Sequence, residues 1–232
     1  ARSASAPLSP EVHRAFEELF GLVLIETMGL TECSAQITAN PMPPGVRKYG
    51  SPGKACGNEV AILGADGREV PRMTGGEIAV RGDNVFRLYL KNSEATGEAF
   101  TPKTSNDGGW FLTGDLGHMD ADGYIYVTGR RKELIIKGGE NIAPREIDEA
   151  LLLHPEVLEA AAFAMPSVDY GQTVVAAVRL TDGGSVGEDE LLELCRAQVG
   201  PFKAPDRVHI LPDLPKGPSG KVQRMKLAEM MA

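Results

Sequence analysis

The sequence predicts a chain of three successive textures: an α/β opening, a β-rich middle and an α+β end. Three observations carry this. A capped segment of helical periodicity followed by a short apolar run occupies residues 9–25. Short strand-like runs separated by Asp-Gly and Gly-Gly pairs fill residues 41–127. After Arg130, helix-period and strand-period segments are interleaved. The expected divisions are 1–40, the end of an α/β subdomain; 41–130, a β-rich subdomain; and 131–232, an α+β domain of ordinary size.

Ser9 offers a hydroxyl cap, Pro10 suits a first helical turn, and Glu11 meets the positive end of the helix dipole. Val12, Phe16, Leu19 and Phe20 follow at helical spacing, which carries the helix to about Phe20. Residues 22–25, Leu-Val-Leu-Ile, read as a buried strand. In the middle, residues 58–63 and 77–80 alternate or run apolar, and Asp122-Gly123 separates residues 116–119 from 124–127, a hairpin signal. A distorted barrel or folded sheet is expected, with one helix within residues 91–100. Beyond it, residues 144–153 and 189–199 read as helices and 157–165, 173–180 and 207–211 as strands. His13 and His154 are expected on helix surfaces, and Cys33 in the interior.

The 42% hydrophobic content supplies a core, and the net charge of −8 argues against nucleic acid as the main partner, since phosphate binding needs clustered Lys and Arg. Three widely spaced cysteines, Cys33, Cys56 and Cys195, fit a reducing, cytoplasmic setting better than a disulfide framework. No Cys/His spacing reads as a metal site. No apolar run approaches the ~20 residues needed to cross a bilayer, and residues 1–9 lack the charged and apolar regions of a signal peptide.

Four segments carry the chemistry: Met28-Gly-Leu-Thr-Glu32; Trp110-Phe-Leu-Thr-Gly-Asp-Leu-Gly117; Gly129-Arg-Arg-Lys-Glu-Leu-Ile-Ile-Lys-Gly-Gly-Glu-Asn-Ile-Ala-Pro144; and Leu214-Pro-Lys-Gly-Pro-Ser-Gly-Lys-Val-Gln-Arg224. In order and spacing they resemble the late motifs of the adenylate-forming (ANL) superfamily, which contains acyl- and aryl-CoA ligases, peptide-synthetase adenylation domains and luciferases. The resemblance implies an acid-CoA ligase. Such an enzyme joins ATP and a carboxylate into an acyl-adenylate with release of pyrophosphate, then passes the acyl group to CoA with release of AMP. It also implies that residues 131–232 form a mobile lid.

Site residues follow by the same resemblance. Thr31 meets a phosphate oxygen, and Glu32 holds the Mg²⁺ that neutralises ATP phosphates, because hard cations take oxygen ligands. Asp115 accepts from the ribose hydroxyls through charge-assisted bonds, with Arg130 as a second ribose contact. Lys132 is the hinge between adenylating and thioester-forming arrangements. Gly138, Gly139 and Glu140 belong to a loop that reaches CoA. Lys221 bridges carboxylate and α-phosphate, stabilising the charge that builds on both; the resemblance also makes it a target for a lysine acetyltransferase, which would remove that charge. Met28 departs from the aromatic residue usual at its position.

The resemblance covers residues 9–232 but only the later motifs of the superfamily. The Ser/Thr/Gly-rich phosphate loop ending in Pro-Lys-Gly does not occur in this sequence, so the chain is expected to be a C-terminal portion, inactive alone. Residues 34–53 are similar to the oxalate-CoA ligase branch, with malonate, fatty and aryl acids left open as substrates. Two alternatives stand beside the ligase: an adenylation domain loading a carrier protein, and a non-catalytic nucleotide-binding lid.

Overall fold

The computed structural model describes residues 1–4, 6, 8–101, 109–218 and 220–231, which fall into two units, Ala1–Arg131 and Lys132–Ala232. Ser5 and Pro7 of the N-terminal stretch and Ser219 of the lysine motif lie outside the described residues.

In the first unit, strand β1 (Arg2–Ser3), helix α1 (Pro10–Phe20), β2 (Ile25–Met28), β3 (Thr38–Ala39) and β4 (Lys54–Ala55) build a small sheet in the order β1-β2-β3-β4. Ser9 Oγ accepts from the Val12 amide at 3.2 Å, and Gly21, at φ +62°, closes α1 with its amide on the Glu17 carbonyl. The strand expected at 22–25 begins three residues later. The Leu24 amide donates to the Glu17 carboxylate at 2.8 Å, so residues 22–24 form the return from the helix. Pairing starts only where Ile25 faces Arg2.

His13 is a second correction: it is fully buried, not on the helix surface. Its Nε2 lies 2.9 Å from the Leu24 carbonyl, and its ring stands edge-on to Tyr49 at 4.7 Å. His13 and Glu17, one turn apart, form the inward face of α1. Val12, Leu19 and Phe20 project the other way, and Leu19 is 77% exposed.

Next, β5 (Glu59–Leu63), β6 (Gly76–Arg81), β7 (Phe111–Met119) and β8 (Ile125–Arg130) form an antiparallel meander; helix α2 (Ser93–Glu98) lies between β6 and β7, capped by Asn92. Among the described residues this sheet is open, not a closed barrel. Four strands are too few to curl into a barrel that side chains can fill. Ile62, Ile78, Met119 and Ile125 pack on one face, and Ala61, Leu63 and Ala79 pack on the other with Trp110 and Leu112. The Asp122-Gly123 turn is organised by Asp120, whose Oδ1 accepts from the Asp122 and Tyr124 amides.

The second unit contains β9 (Ile135–Lys137), β10 (Glu140–Ile142), α3 (Pro144–Leu151), β11 (Val157–Ser167), β12 (Gly171–Leu180), α4 (Glu188–Lys203), β13 (Arg207–Ile210) and α5 (Arg224–Met231). Its sheet runs β10-β9-β12-β11, with β13 parallel to β12. Strand alternation sends Ala162, Val174, Ala176 and Val178 toward α3 and α4, where they meet Ile147, Leu151, Leu191 and Cys195. The intervening residues Ala161, Phe163, Val175 and Ala177 pack with Leu214 and Leu227 on the α5 side. Helical geometry in α4 breaks at Gly200 (φ +81°), immediately before Pro201. No described helix is long and apolar enough to cross a membrane.

Candidate active site

The segment Met28-Gly-Leu-Thr-Glu32 leaves β2 and doubles back at once. The Ala35 amide returns to the Leu30 carbonyl at 3.0 Å, and the Ile37 amide to the Met28 carbonyl at 2.9 Å. Glycine is required at 29, where a Cβ would sit 1.3 Å from the Ala35 carbonyl oxygen. Thr31 is exposed and Glu32 half-buried on a single 3₁₀ turn, Thr31–Cys33. Tyr89 donates its hydroxyl to Glu32 Oε1 at 2.9 Å, and the Phe86 amide donates to the Glu32 carbonyl at 2.7 Å. Burial and then the Glu32 carboxylate raise the Tyr89 phenol above its ordinary range, so it stays a donor. Met28 packs among Cys33, Ile37, Val80 and Phe111.

Asp115 owes its position to a bulge. Ala79 pairs with Leu112 and Glu77 with Leu116, so Ile78 alone lies opposite residues 113, 114 and 115. The extra backbone is taken up at Gly114, φ +73°, a conformation that disfavours any residue with a Cβ. Glycine serves that dihedral rather than a close approach, since a Cβ there would meet nothing within 4 Å. Thr113 Oγ donates to the Ile78 carbonyl at 2.7 Å and accepts from the Asp115 amide at 3.1 Å. Glu77 accepts from the Gly114 amide at 3.1 Å through one oxygen and pairs with Arg131 at 3.2 Å through the other. Opposite Asp115 in register on β8 is Arg130, whose Nε donates to Asp115 Oδ1 at 2.7 Å. The carboxylate is largely buried, and the arginine side chain about half exposed.

In the second unit, Lys132 is its first residue, exposed on the 3₁₀ turn Arg131–Glu133. Gly138 and Gly139, at φ +57° and +88°, form the two-residue turn between β9 and β10, with Lys137 paired to Glu140. Positive φ at both central positions is the demand of the tight hairpin turn. Lys137 anchors the turn from below: its Nζ lies 3.4 Å from Asp206 and about equally far from the Tyr170 and Phe202 rings, 5.5 and 5.4 Å.

Lys221 is exposed at the tip side of a loop whose two ends are fixed in the core. Leu214 before it and Leu227 after it are buried together, and Val222 packs on the same cluster. The backbone closes the loop through Gly217 amide to Lys221 carbonyl, 2.9 Å, and Gln223 amide to Pro215 carbonyl, 2.8 Å. Lys216 holds the incoming arm to Glu159 at 2.9 Å. Arg224 holds the outgoing arm, through Asp148, Glu133 and the Ala162 carbonyl.

Thus the expected pair Asp115 and Arg130 is in direct contact, while Thr31 and Glu32 occupy a separate turn of the same unit. Lys132, Gly138, Gly139, Glu140 and Lys221 all belong to the second unit. Sequence reading missed Glu77, Tyr89, Asp148 and Arg224 as supporting residues. Of these only Arg224 carried a signal, as the last residue of the lysine motif. Among the described residues no group of three or more His, Cys, Asp or Glu side chains is gathered to hold a metal.

Two family models match this chain. The AMP-binding enzyme family model matches residues 2–90, and the AMP-binding enzyme C-terminal domain model matches residues 146–221. A sulfoacetate–CoA ligase of Cupriavidus necator is 52% identical over 226 residues, 97% of this chain and 43% of the relative. An oxalate–CoA ligase of Arabidopsis thaliana is 41% identical over 229 residues, 98% and 43% of the two chains. The crystal structure of ATP-bound MatB from Rhodopseudomonas palustris superposes with a TM-score of 0.91 at 36% identity, covering 99% of this chain and 44% of that one. The chain therefore spans less than half the length of the relatives it matches. With both family models matched and the motif residues held on bulge, turn and loop as described, the chain belongs to the adenylate-forming superfamily of AMP-binding enzymes.

Proposed function

We propose that this chain is the ribose-binding and lid-bearing portion of an acid-CoA ligase. The observation that supports this most is the Asp115–Arg130 pair, a largely buried carboxylate held by a bulge and a cross-strand guanidinium. A carboxylate so fixed is prepared to accept ribose hydroxyls without reorganising, which is where preorganised polar groups gain their advantage. Arg130, already oriented, would donate to the same sugar.

In the first half-reaction a carboxylate oxygen of the acid attacks the α-phosphorus of ATP, and the bond to pyrophosphate breaks. Lys221 would place its ammonium between the reacting groups, where negative charge accumulates. Glu32 fits a supporting role toward Mg²⁺: an oxygen donor on a tight turn, suited to a cation that takes one or two carboxylates along with phosphates and waters. The metal would neutralise phosphate charge. In the second half-reaction the sulfur of CoA attacks the acyl carbon, AMP leaves, and the thiol proton passes to solvent. Gly138, Gly139 and Glu140 would border the thiol's approach, and Lys132 would be the pivot that exchanges the two arrangements. The division of the chain between Arg131 and Lys132 supports that assignment.

For the substrate we propose a small acid with a second anionic group. The sulfoacetate and oxalate ligases among the relatives support this over a fatty acid. Acetylation of Lys221, which is exposed, would abolish adenylation by removing its charge. The test is carboxylate-dependent exchange of labelled pyrophosphate into ATP by the complete enzyme with sulfoacetate, oxalate, malonate, a fatty acid and an aryl acid. Exchange confined to the small diacids supports the reading; exchange with none of them contradicts it.

A further inference from the structure

Arg224 stands three residues beyond Lys221 and opens α5, yet its guanidinium does not face solvent. Nη2 and Nη1 grip both oxygens of Asp148, at 2.5 and 3.2 Å, and Nη1 also donates to the Ala162 carbonyl at 2.8 Å. Nε donates to Glu133 at 3.1 Å. Asp148 lies on α3 and is nine-tenths buried, and its Oδ1 also accepts from the Ala162 amide at 2.6 Å. Ala162 lies in the middle of β11, and Glu133 is the neighbour of Lys132. One side chain therefore joins the lysine loop, helix α3, strand β11 and the turn that starts the unit.

This arrangement is more than a motif residue needs for solubility or charge. A bidentate arginine fixes orientation as well as distance. A chain extends at most about 3.5 Å per residue, so Lys221 can stray only ~10 Å from the fixed Arg224 backbone. Leu214, Val222 and Leu227 hold the loop against the core through non-directional apolar contacts, and the Arg224 clamp adds the directional polar ones.

We infer that Arg224 is a positioning residue for adenylation: clamped on Asp148 and Glu133, it sets where Lys221 is presented and links that loop to the turn carrying the hinge lysine. The inference rests on the proposed role of Lys221. It predicts a selective defect. Loosening the clamp should slow acyl-adenylate formation and leave thioester formation from supplied acyl-adenylate intact, because the second step does not use Lys221.

The experiment measures both half-reactions in the complete enzyme for Arg224→Met, Arg224→Lys and Asp148→Asn, with Lys221→Ala as reference. The expected result is adenylation down at least tenfold in Arg224→Met, partly restored in Arg224→Lys, with thioester formation within about twofold of the parent. Asp148→Asn keeps the amide contact to Ala162 but not the charge. It should show the same split more mildly, and it serves alone if Arg224→Met does not fold. Parallel loss of both half-reactions, or loss of neither, overturns the positioning role. Unchanged adenylation in Lys221→Ala instead overturns the site reading itself, and the inference with it.

Discussion

At the scale of single residues, Asp115 is the sharpest case, because its environment separates charge from shape. Asp115→Asn preserves size but removes the charge that Arg130 and a ribose would share. Hydrogen bonds to a charged group are worth about 1.5–3 kcal/mol, so nucleotide affinity should fall roughly 10- to 100-fold by titration calorimetry, with little change in fold. Gly114→Ala probes the same site through the backbone. At φ +73° a Cβ is strained, by roughly 1–2 kcal/mol for a left-handed residue, and the bulge should shift to relieve it, weakening nucleotide binding while leaving the acid's own binding unaltered. The carboxylate itself was legible in its Thr-Gly-Asp setting. Its bulge was not, since register is decided by β6, and no local feature of residues 113–115 states which residue of β6 they face. Glu77 and Tyr89 were invisible for a similar reason: each supports its partner across more than thirty residues of chain. His13 was misplaced because an imidazole whose Nε2 meets a backbone carbonyl and whose ring meets an aromatic edge looks, in sequence, like any polar helix residue.

At the scale of elements, the two glycines between β9 and β10 make a test of turn chemistry. Gly139→Ala, at φ +88°, should destabilise the hairpin by about 1–2 kcal/mol. If that hairpin borders CoA, the variant should raise the KM for CoA more than that for ATP in steady-state assays. The loop around Asp120 offers a pH-dependent counterpart. Lys48 bonds to both Asp120 and Asp122, at 2.5 and 2.7 Å. Burial works to raise Asp120, but the Lys48 ammonium and the Tyr124 and Asp122 amides outweigh it and hold the carboxyl below its ordinary value. A carboxyl depressed in the fold stabilises above its unfolded pKa, and that contribution disappears as pH falls through the folded value. Lys48→Met should therefore unfold at a lower temperature than the parent near pH 7, and the gap should close near pH 2. Longer elements with caps or turn pairs, such as α1 and the β7–β8 hairpin, were readable. Three-residue strands β9 and β10 were not, being too short to show alternation, and α5 gave little amphipathic signal.

At the scale of the whole molecule, each unit has its own core and its own interior thiol. Cys33 and Cys195 are fully buried, and burial pushes each thiol up to about 11, while Cys56 is exposed. A thiol-reactive dye should modify Cys56 alone in the folded chain. Cys33 and Cys195 should react only on unfolding, each reporting its own unit when the labelled peptides are resolved by mass spectrometry. The mixture of helix and strand was legible because periodicity changes along the chain. The open form of the middle sheet was not, because closure depends on strand number and curvature rather than on any residue pattern.

We propose that Lys221 serves adenylation from its loop. The most direct measurement is carboxylate-dependent ATP–pyrophosphate exchange by the complete enzyme and its Lys221→Ala variant, alongside thioester formation from preformed acyl-adenylate. Removing a group that stabilises transition-state charge typically costs about 10²- to 10³-fold. The expected result is a loss of that size in exchange with the thioester step retained. Exchange at the parental rate in the variant would contradict it.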